Sequence, residues 1–248
     1  MSADDVPDPR DGPLAAIRWF LRTDNEAVVF VRELVSSALA VALVGLLLFA
    51  VSGLWPPLVA VESGSMNPNL QKGDLVFVMD EQRFAPAADH GDTGIVTYRT
   101  GERTGYTKFH NPGDVVVYAP YGDQGRTPII HRARFWVNES ENWYDEANQQ
   151  YLMGAQNCQE LENCPAPHAG FITKGDANNY YDQAVGISSP VKPDWVRGTA
   201  EFRIPWLGWV RLVITGDAMV ASPVTAESVS GNATANPLVS GGTTPLTG

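Results

Sequence analysis

DVVVYAP (Asp114–Pro120) and TPIIHRARFWV (Thr127–Val137) are the stretches on which the fold turns. Each is a strand-length run of β-branched and aromatic residues bounded by turn formers. Outward from them the pattern repeats: DLVFVMD (Asp74–Asp80) and TGIVTYRT (Thr93–Thr100) come before, AGFITKGD (Ala169–Asp176) and TAEFRI (Thr199–Ile204) after. Short β runs separated by turn signals predict an antiparallel, mostly β domain rather than βαβ units. Residues 81–112 and 138–168 interrupt the series. Both are polar, turn-rich and weakly periodic, and both read as insertions.

The chain has 248 residues, 44% of them apolar, enough for one sizeable core or two small ones. With 28 acidic and 17 basic residues its net charge is -11, so its field repels phosphate backbones and a general nucleic-acid binder is excluded. Lysine is scarce (Lys72, Lys108, Lys174, Lys192), an acidic balance of the kind that keeps proteins soluble in concentrated salt. The two cysteines, Cys158 and Cys164, are too few for an ordinary zinc site. They predict one local disulfide stapling an inserted loop that lacks a core of its own, the alternative being two unpaired thiols.

Before the β region, LVSSALAVALVGLLLFAVSGL (Leu34–Leu54) carries no charge and matches the ~20 residues that cross ~30 Å of hydrocarbon as a helix. It is longer than the ~7–15-residue apolar part of a secretory signal peptide. Arg18, Arg22 and Arg32 precede it, and no Lys or Arg follows until Lys72. The basic flank then stays cytoplasmic. The expected plan is a cytoplasmic segment over 1–33, a span over 34–54, an extracytoplasmic β domain over 55–216 and a disordered tail over 217–248, in a single-pass protein of the cell membrane. PLAAIRWFLR (Pro13–Arg22) sets Leu14, Ile17, Phe20 and Leu21 on one helical face, either along the inner membrane surface or in solvent. RIPWLGWVRLVI (Arg203–Ile214) is apolar but too short to span, so it reads as interfacial or core-packing. Asn138 and Asn232 head glycosylation sequons on the outer side.

Chemistry concentrates in three places. Just beyond the span, Glu62-Ser63-Gly64-Ser65-Met66-Asn67-Pro68 forms a tight turn that can present a hydroxyl and amide hydrogens to one point, as a nucleophile and oxyanion hole require. His131 follows an apolar strand, and imidazole is the usual base for a serine. Lys174-Gly-Asp176 through Asp182 supplies two carboxylates, either of which could orient that ring. Taken singly, these are also a turn, a half-buried histidine and loop acids. His90, His110 and His168 fall in or beside the insertions.

In order, Ser-Gly-Ser-Met-x-Pro beyond a membrane helix, Gly113-Asp-Val-Val-Val117, His131-Arg132 and Thr-Lys-Gly-Asp with Asn178 and Asp182 resemble type I signal peptidase. Histidine in place of a lysine base resembles the archaeal and endoplasmic-reticulum branch, and with the acidic composition this implies a haloarchaeal enzyme. The resemblance implies a signal-peptidase-like antiparallel β domain on one N-terminal transmembrane helix, a serine endopeptidase that removes signal peptides from exported preproteins after small residues. It implies Ser65 as nucleophile, Ser63 with Ser65 at the oxyanion, His131 as base, Asp182 as triad acid and Asp176 as a nearby essential aspartate. No cofactor and no metal are needed. Signal peptides and the bilayer are the implied partners, with room for association with the translocation machinery. Ser65 lies at most ~36 Å of extended chain from the membrane exit. A substrate strand is expected along Ser63–Met66 and Ile129–His131, with Met66, Ile129 and Ile130 lining shallow pockets for small side chains. The competing readings are a membrane-anchored extracellular β module that binds a partner, or another membrane-tethered serine peptidase that releases a regulator.

Overall fold

The computed structural model of the chain describes residues 12–215. It is mostly β, with an antiparallel sheet and one long N-terminal apolar helix. The tail over 217–248, with Asn232, lies outside the described residues.

Helix α1 (Pro13–Arg22) precedes α2 (Glu26–Ser52), whose first turn is capped by the Asn25 side chain on the Ala27 N–H at 3.1 Å. Leucine, alanine and valine dominate α2 over its 27 residues until Gly53, at φ 78°, closes it in the left-handed conformation. Its most apolar window has a mean hydropathy of 2.6 and is not buried against protein, so it is long and apolar enough to cross a membrane. The helix begins eight residues before Leu34 and stops two short of Leu54. The Ser52 hydroxyl donates to the Val78 carbonyl at 2.7 Å and the Asp80 N–H to the Ser52 carbonyl at 3.0 Å, which ties the end of α2 to the domain.

The domain continues through β1 (Leu58–Ala60), β2 (Leu75–Met79), α3 (Tyr98–Thr104), β3 (Thr107–Lys108), β4 (Asn111–Pro112), β5 (Val115–Tyr118), β6 (Ile129–Val137), β7 (Gly170–Lys174), β8 (Val196–Ile204) and α4 (Gly208–Thr215). Six strands form one sheet in the order β1-β2-β8-β5-β6-β7, every neighbour antiparallel, and β3 pairs with β4 separately. β6 pairs with β5 from Ile129 onward, but with β7 only from Arg132. On that side Ile129–His131 therefore forms a free strand edge.

Three sequence expectations need correction. TGIVTYRT is not a strand: Ile95 and Val96 are buried loop residues, and Thr97 accepts the Thr100 N–H as N-cap of α3, so cap chemistry overrides β propensity. The first insertion is thus partly helical, and a Cβ on Gly101 would meet the Gly113 nitrogen at 2.4 Å, which fastens α3 against the chain entering β5. The second insertion does not lack a core. Trp143, Leu152 and Leu161 are buried with Phe135, Val137, Ile172 and Tyr181, extending one face of the sheet into a lobe. The Cys158–Cys164 disulfide lies in that lobe. In the segment 203–214, Leu212 of α4 packs on Ala60 and Leu75, while Val210, Val213 and Ile214 of α4 and Trp206 in the turn before it stay exposed, so the segment both packs and exposes an apolar side.

Candidate active site

Ser65 and His131 line one cleft of about 370 Å³. One wall is Val59–Ser63, running out of the edge strand β1; the other is Thr127–His131, the free edge of β6. Ile129 and Ile130 stand on the second wall, Asn178 and Ile187 complete the lining, and Ser65 and Met66 sit at the base of the first.

The Ser65 loop is held from below. Its carbonyl accepts the Ala177 N–H at 2.9 Å, and a Cβ on Gly175 would lie 2.6 Å from that same oxygen, so Lys174-Gly175-Asp176 can approach only because residue 175 is glycine. Met66 is buried among Val61, Leu70, Val76 and Val115, and its sulfur accepts the Asp176 N–H at 3.3 Å. It is an anchor under the cleft floor more than an open pocket wall. The Ser63 hydroxyl lies 3.1 Å from the Ser65 Oγ and 3.5 Å from the Ser65 nitrogen.

His131 Nδ1 lies 2.7 Å from Asp182 Oδ2. A carboxylate only accepts, so the ring proton sits on Nδ1 and the Nε2 lone pair remains free to take a proton. Asp182 is fully buried, and the same Oδ2 accepts from the Thr173 hydroxyl at 2.7 Å and the Tyr118 hydroxyl at 2.9 Å. Gln183 extends the network: its Nε2 donates to Thr173 Oγ1 at 3.2 Å and its Oε1 accepts the Thr173 N–H at 2.9 Å. Burial, then the adjacent Asp182 charge, pushes the Tyr118 hydroxyl well above its usual range, so it stays a donor.

Asp176 faces elsewhere. Its two oxygens take the Arg132 fork at 2.8 and 2.7 Å, and Oδ2 also accepts from Asn69 and Asn111 at 3.1 Å each. Burial alone would raise its pKa, but the Arg132 guanidinium and these amides hold it below the usual carboxylate value. Arg132 is itself fully buried, and its other nitrogen donates to the Gly113 carbonyl at 2.6 Å. Lys174 donates to the Gly175 and Asn178 carbonyls at 2.8 and 2.7 Å. Burial, then Arg134, depresses its pKa, but its ammonium is committed to shaping this loop.

The structure thus brings Ser63, Ser65, Met66, Ile129, Ile130 and His131 to one cleft, sets Asp182 behind the ring and sends Asp176 to Arg132. Tyr118, Thr173, Gln183 and the role of Arg132 escaped sequence reasoning, although strand parity places Tyr118 and Thr173 on the His131 face. Of the other histidines, His90 stacks on Trp136, His168 Nε2 lies 3.1 Å from Ser189 Oγ, and His110 is exposed at φ 65°. Among the described residues no group of three or more His, Cys, Asp or Glu is placed to hold a metal.

No family model matches the chain. The signal peptidase complex catalytic subunit SEC11 of Paracoccidioides brasiliensis (strain Pb03) and that of Saccharomyces cerevisiae (strain YJM789) are each 26% identical to it over 162 residues. The chain is similar to signal peptidase catalytic subunits. The match covers 64% of this chain and 66% of each of those relatives.

Proposed function

We propose that the protein is a membrane-anchored serine endopeptidase that removes signal peptides from exported preproteins. The observation that carries this reading is the pairing of His131 with buried Asp182 in the cleft that also holds Ser65, between two strand edges that an extended polypeptide can join. Similarity to proteins named signal peptidase catalytic subunits supports the substrate class.

In the proposed reaction Ser65 Oγ attacks the substrate carbonyl while His131 Nε2 takes its proton. Asp182 fixes the tautomer and offsets the imidazolium charge. The Ser65 N–H and the Ser63 hydroxyl receive the developing oxyanion. The imidazolium protonates the leaving amine, and water, activated by the same nitrogen, hydrolyses the acyl-enzyme. Ile129 and Ile130 flank the incoming strand and favour small side chains before the scissile bond, because a narrow apolar wall excludes bulk by steric clash. α2 would place this cleft at the outer membrane surface, with the basic N-terminal flank cytoplasmic. The acidic, lysine-poor composition fits a haloarchaeal member of the histidine-using branch.

The test is cleavage of a purified preprotein by the full chain in lipid, with product termini mapped by mass spectrometry. Wild type is expected to cut once, after a small residue, and Ser65→Ala to lose at least ~10³-fold in rate with unchanged melting. Retained cleavage by Ser65→Ala, or cutting by wild type only at sites unrelated to signal peptides, overturns the reading.

A further inference from the structure

We propose that α1 lies in the plane of the membrane surface at the foot of α2. Leu14, Ile17 and Leu21 would enter the acyl boundary and Arg18 and Arg22 would pair with anionic lipid headgroups.

The helix presents an apolar stripe that the rest of the chain leaves uncovered. Leu14, Ile17 and Leu21 are 80%, 55% and 59% exposed, and at about 100° per residue they share an arc of about 60°. Arg18 and Arg22 project next to that arc, and α1 contains no acidic residue. Long arginine stems beside an apolar stripe let the guanidinium reach phosphates while the methylenes stay in the apolar layer.

The depth of α1 is set by a latch. Arg32, in the second turn of α2, donates to the Leu21 carbonyl at 2.8 Å and lies 3.5 Å from the Thr23 carbonyl. The end of α1 is therefore folded back beside the first turns of α2 instead of continuing its axis. Arg32 stands two residues before the uncharged run that starts at Leu34. α1 is thus fastened at the level where α2 leaves water for hydrocarbon, where a stripe of leucine and isoleucine is covered by lipid and flanking arginines meet phosphate. The inference rests on α2 crossing the membrane and is independent of the peptidase chemistry.

Both cysteines of the sequence are joined to each other, so single labelling sites can be introduced in the full chain. Spin labels at Ile17→Cys and, about 130° round the helix from the centre of the stripe, at Ala16→Cys would be compared in vesicles containing phosphatidylglycerol, using accessibility to oxygen and to a water-soluble nickel chelate. Near-UV circular dichroism matching wild type verifies folding. The expected result is a label at 17 about 5–10 Å below the phosphates and a label at 16 in water. Adding Arg18→Glu and Arg22→Glu, or using phosphatidylcholine alone, is expected to raise the label at 17. Equal chelate access at both positions, or shielding of both, overturns the in-plane placement. An unchanged depth after charge reversal overturns the pairing with anionic headgroups.

Discussion

His131 and Arg132 are neighbours on β6, yet they leave opposite faces of the sheet and build two unlike regions. On one face a fully buried carboxylate, Asp182, meets imidazole and two hydroxyls; on the other a carboxylate whose side chain is 5% exposed, Asp176, meets a guanidinium and two amides. One loop supplies both acids. The difference lies in the partner: a neutral ring can gain a proton during a reaction, whereas Arg132 is always charged and serves as a fixed post. The Asp182 side is the one the proposed reaction would use for proton transfer, and the Asp176 side holds the Ser65 loop in place through Met66 and Ala177.

The largest effect is expected from Asp182→Asn. An amide can turn its NH2 toward Nδ1, which moves the ring proton to Nε2 and removes the base, as in other triads at a cost of about 10⁴-fold in kcat. Rates on a preprotein, read beside melting temperatures, check it. A fall under tenfold would break the assignment of Asp182 to the chemistry.

Asp176→Asn is expected to act on stability instead. It leaves a fully buried Arg132 without its counter-charge, a change that costs ~3–5 kcal/mol in buried pairs. Denaturant titration should register the loss, and the fraction still folded should retain more activity than Asp182→Asn. The reverse pattern, full stability with activity as low as in Asp182→Asn, would erase the contrast between the faces.

Much of this was legible in the sequence, for identifiable reasons. The strands around Val76, Val116, Ile130, Ile172 and Ala200 are dense in β-branched or aromatic residues and bounded by turn formers, so pattern alone located them. Thr97 misled because its side chain is worth more as a cap than as a strand residue. The lobe over 138–168 looked coreless because Trp143, Leu152 and Leu161 are spaced at no helical or strand period; turns and short 3-10 segments at Gln149–Tyr151 and Cys158–Glu160 bring them together. At the site, the serine turn, the histidine and the acidic loop stood out by residue type. Nothing in the spacing of Asp176 and Asp182 says which reaches which face, because that depends on the path of 177–181 through space.

A third buried acid sharpens the contrast. Asp114 accepts from the Val96 N–H at 2.7 Å and the Tyr106 hydroxyl at 2.8 Å, but among the described residues no cation is hydrogen-bonded to it. Burial therefore outweighs these dipoles and raises its pKa to about 6. The unfolded chain releases this proton near pH 4, so between roughly 4 and 6 the native state binds more protons and stability falls as pH rises, by at most ~3 kcal/mol. Asp176, with its depressed pKa, works in the opposite sense at lower pH, its contribution being lost as that carboxylate protonates. Asp114→Asn is expected to melt progressively closer to, or above, wild type as pH is raised across that window. A constant difference between the two melting curves would mean that Asp114 does not titrate there.

The smallest expected change tests how finely the His131 face is tuned. Thr173→Val keeps the side-chain shape and removes one of three donors to Asp182 Oδ2, while Gln183 Nε2 keeps the Ser189 carbonyl at 3.3 Å. A hydrogen bond to a charged group is worth ~1.5–3 kcal/mol, but Tyr118 and His131 still hold the carboxylate, so a loss of about tenfold in kcat is expected, with KM nearly unchanged. Tyr118→Phe removes the neighbouring donor and is expected to cost about as much. Because both hydroxyls serve one oxygen, the double variant should lose more than the product of the two single effects as Asp182 becomes free to turn from the ring. Independent, multiplying losses would mean that each hydroxyl acts on Asp182 separately, and no loss in either single variant would mean that His131 alone orients Asp182.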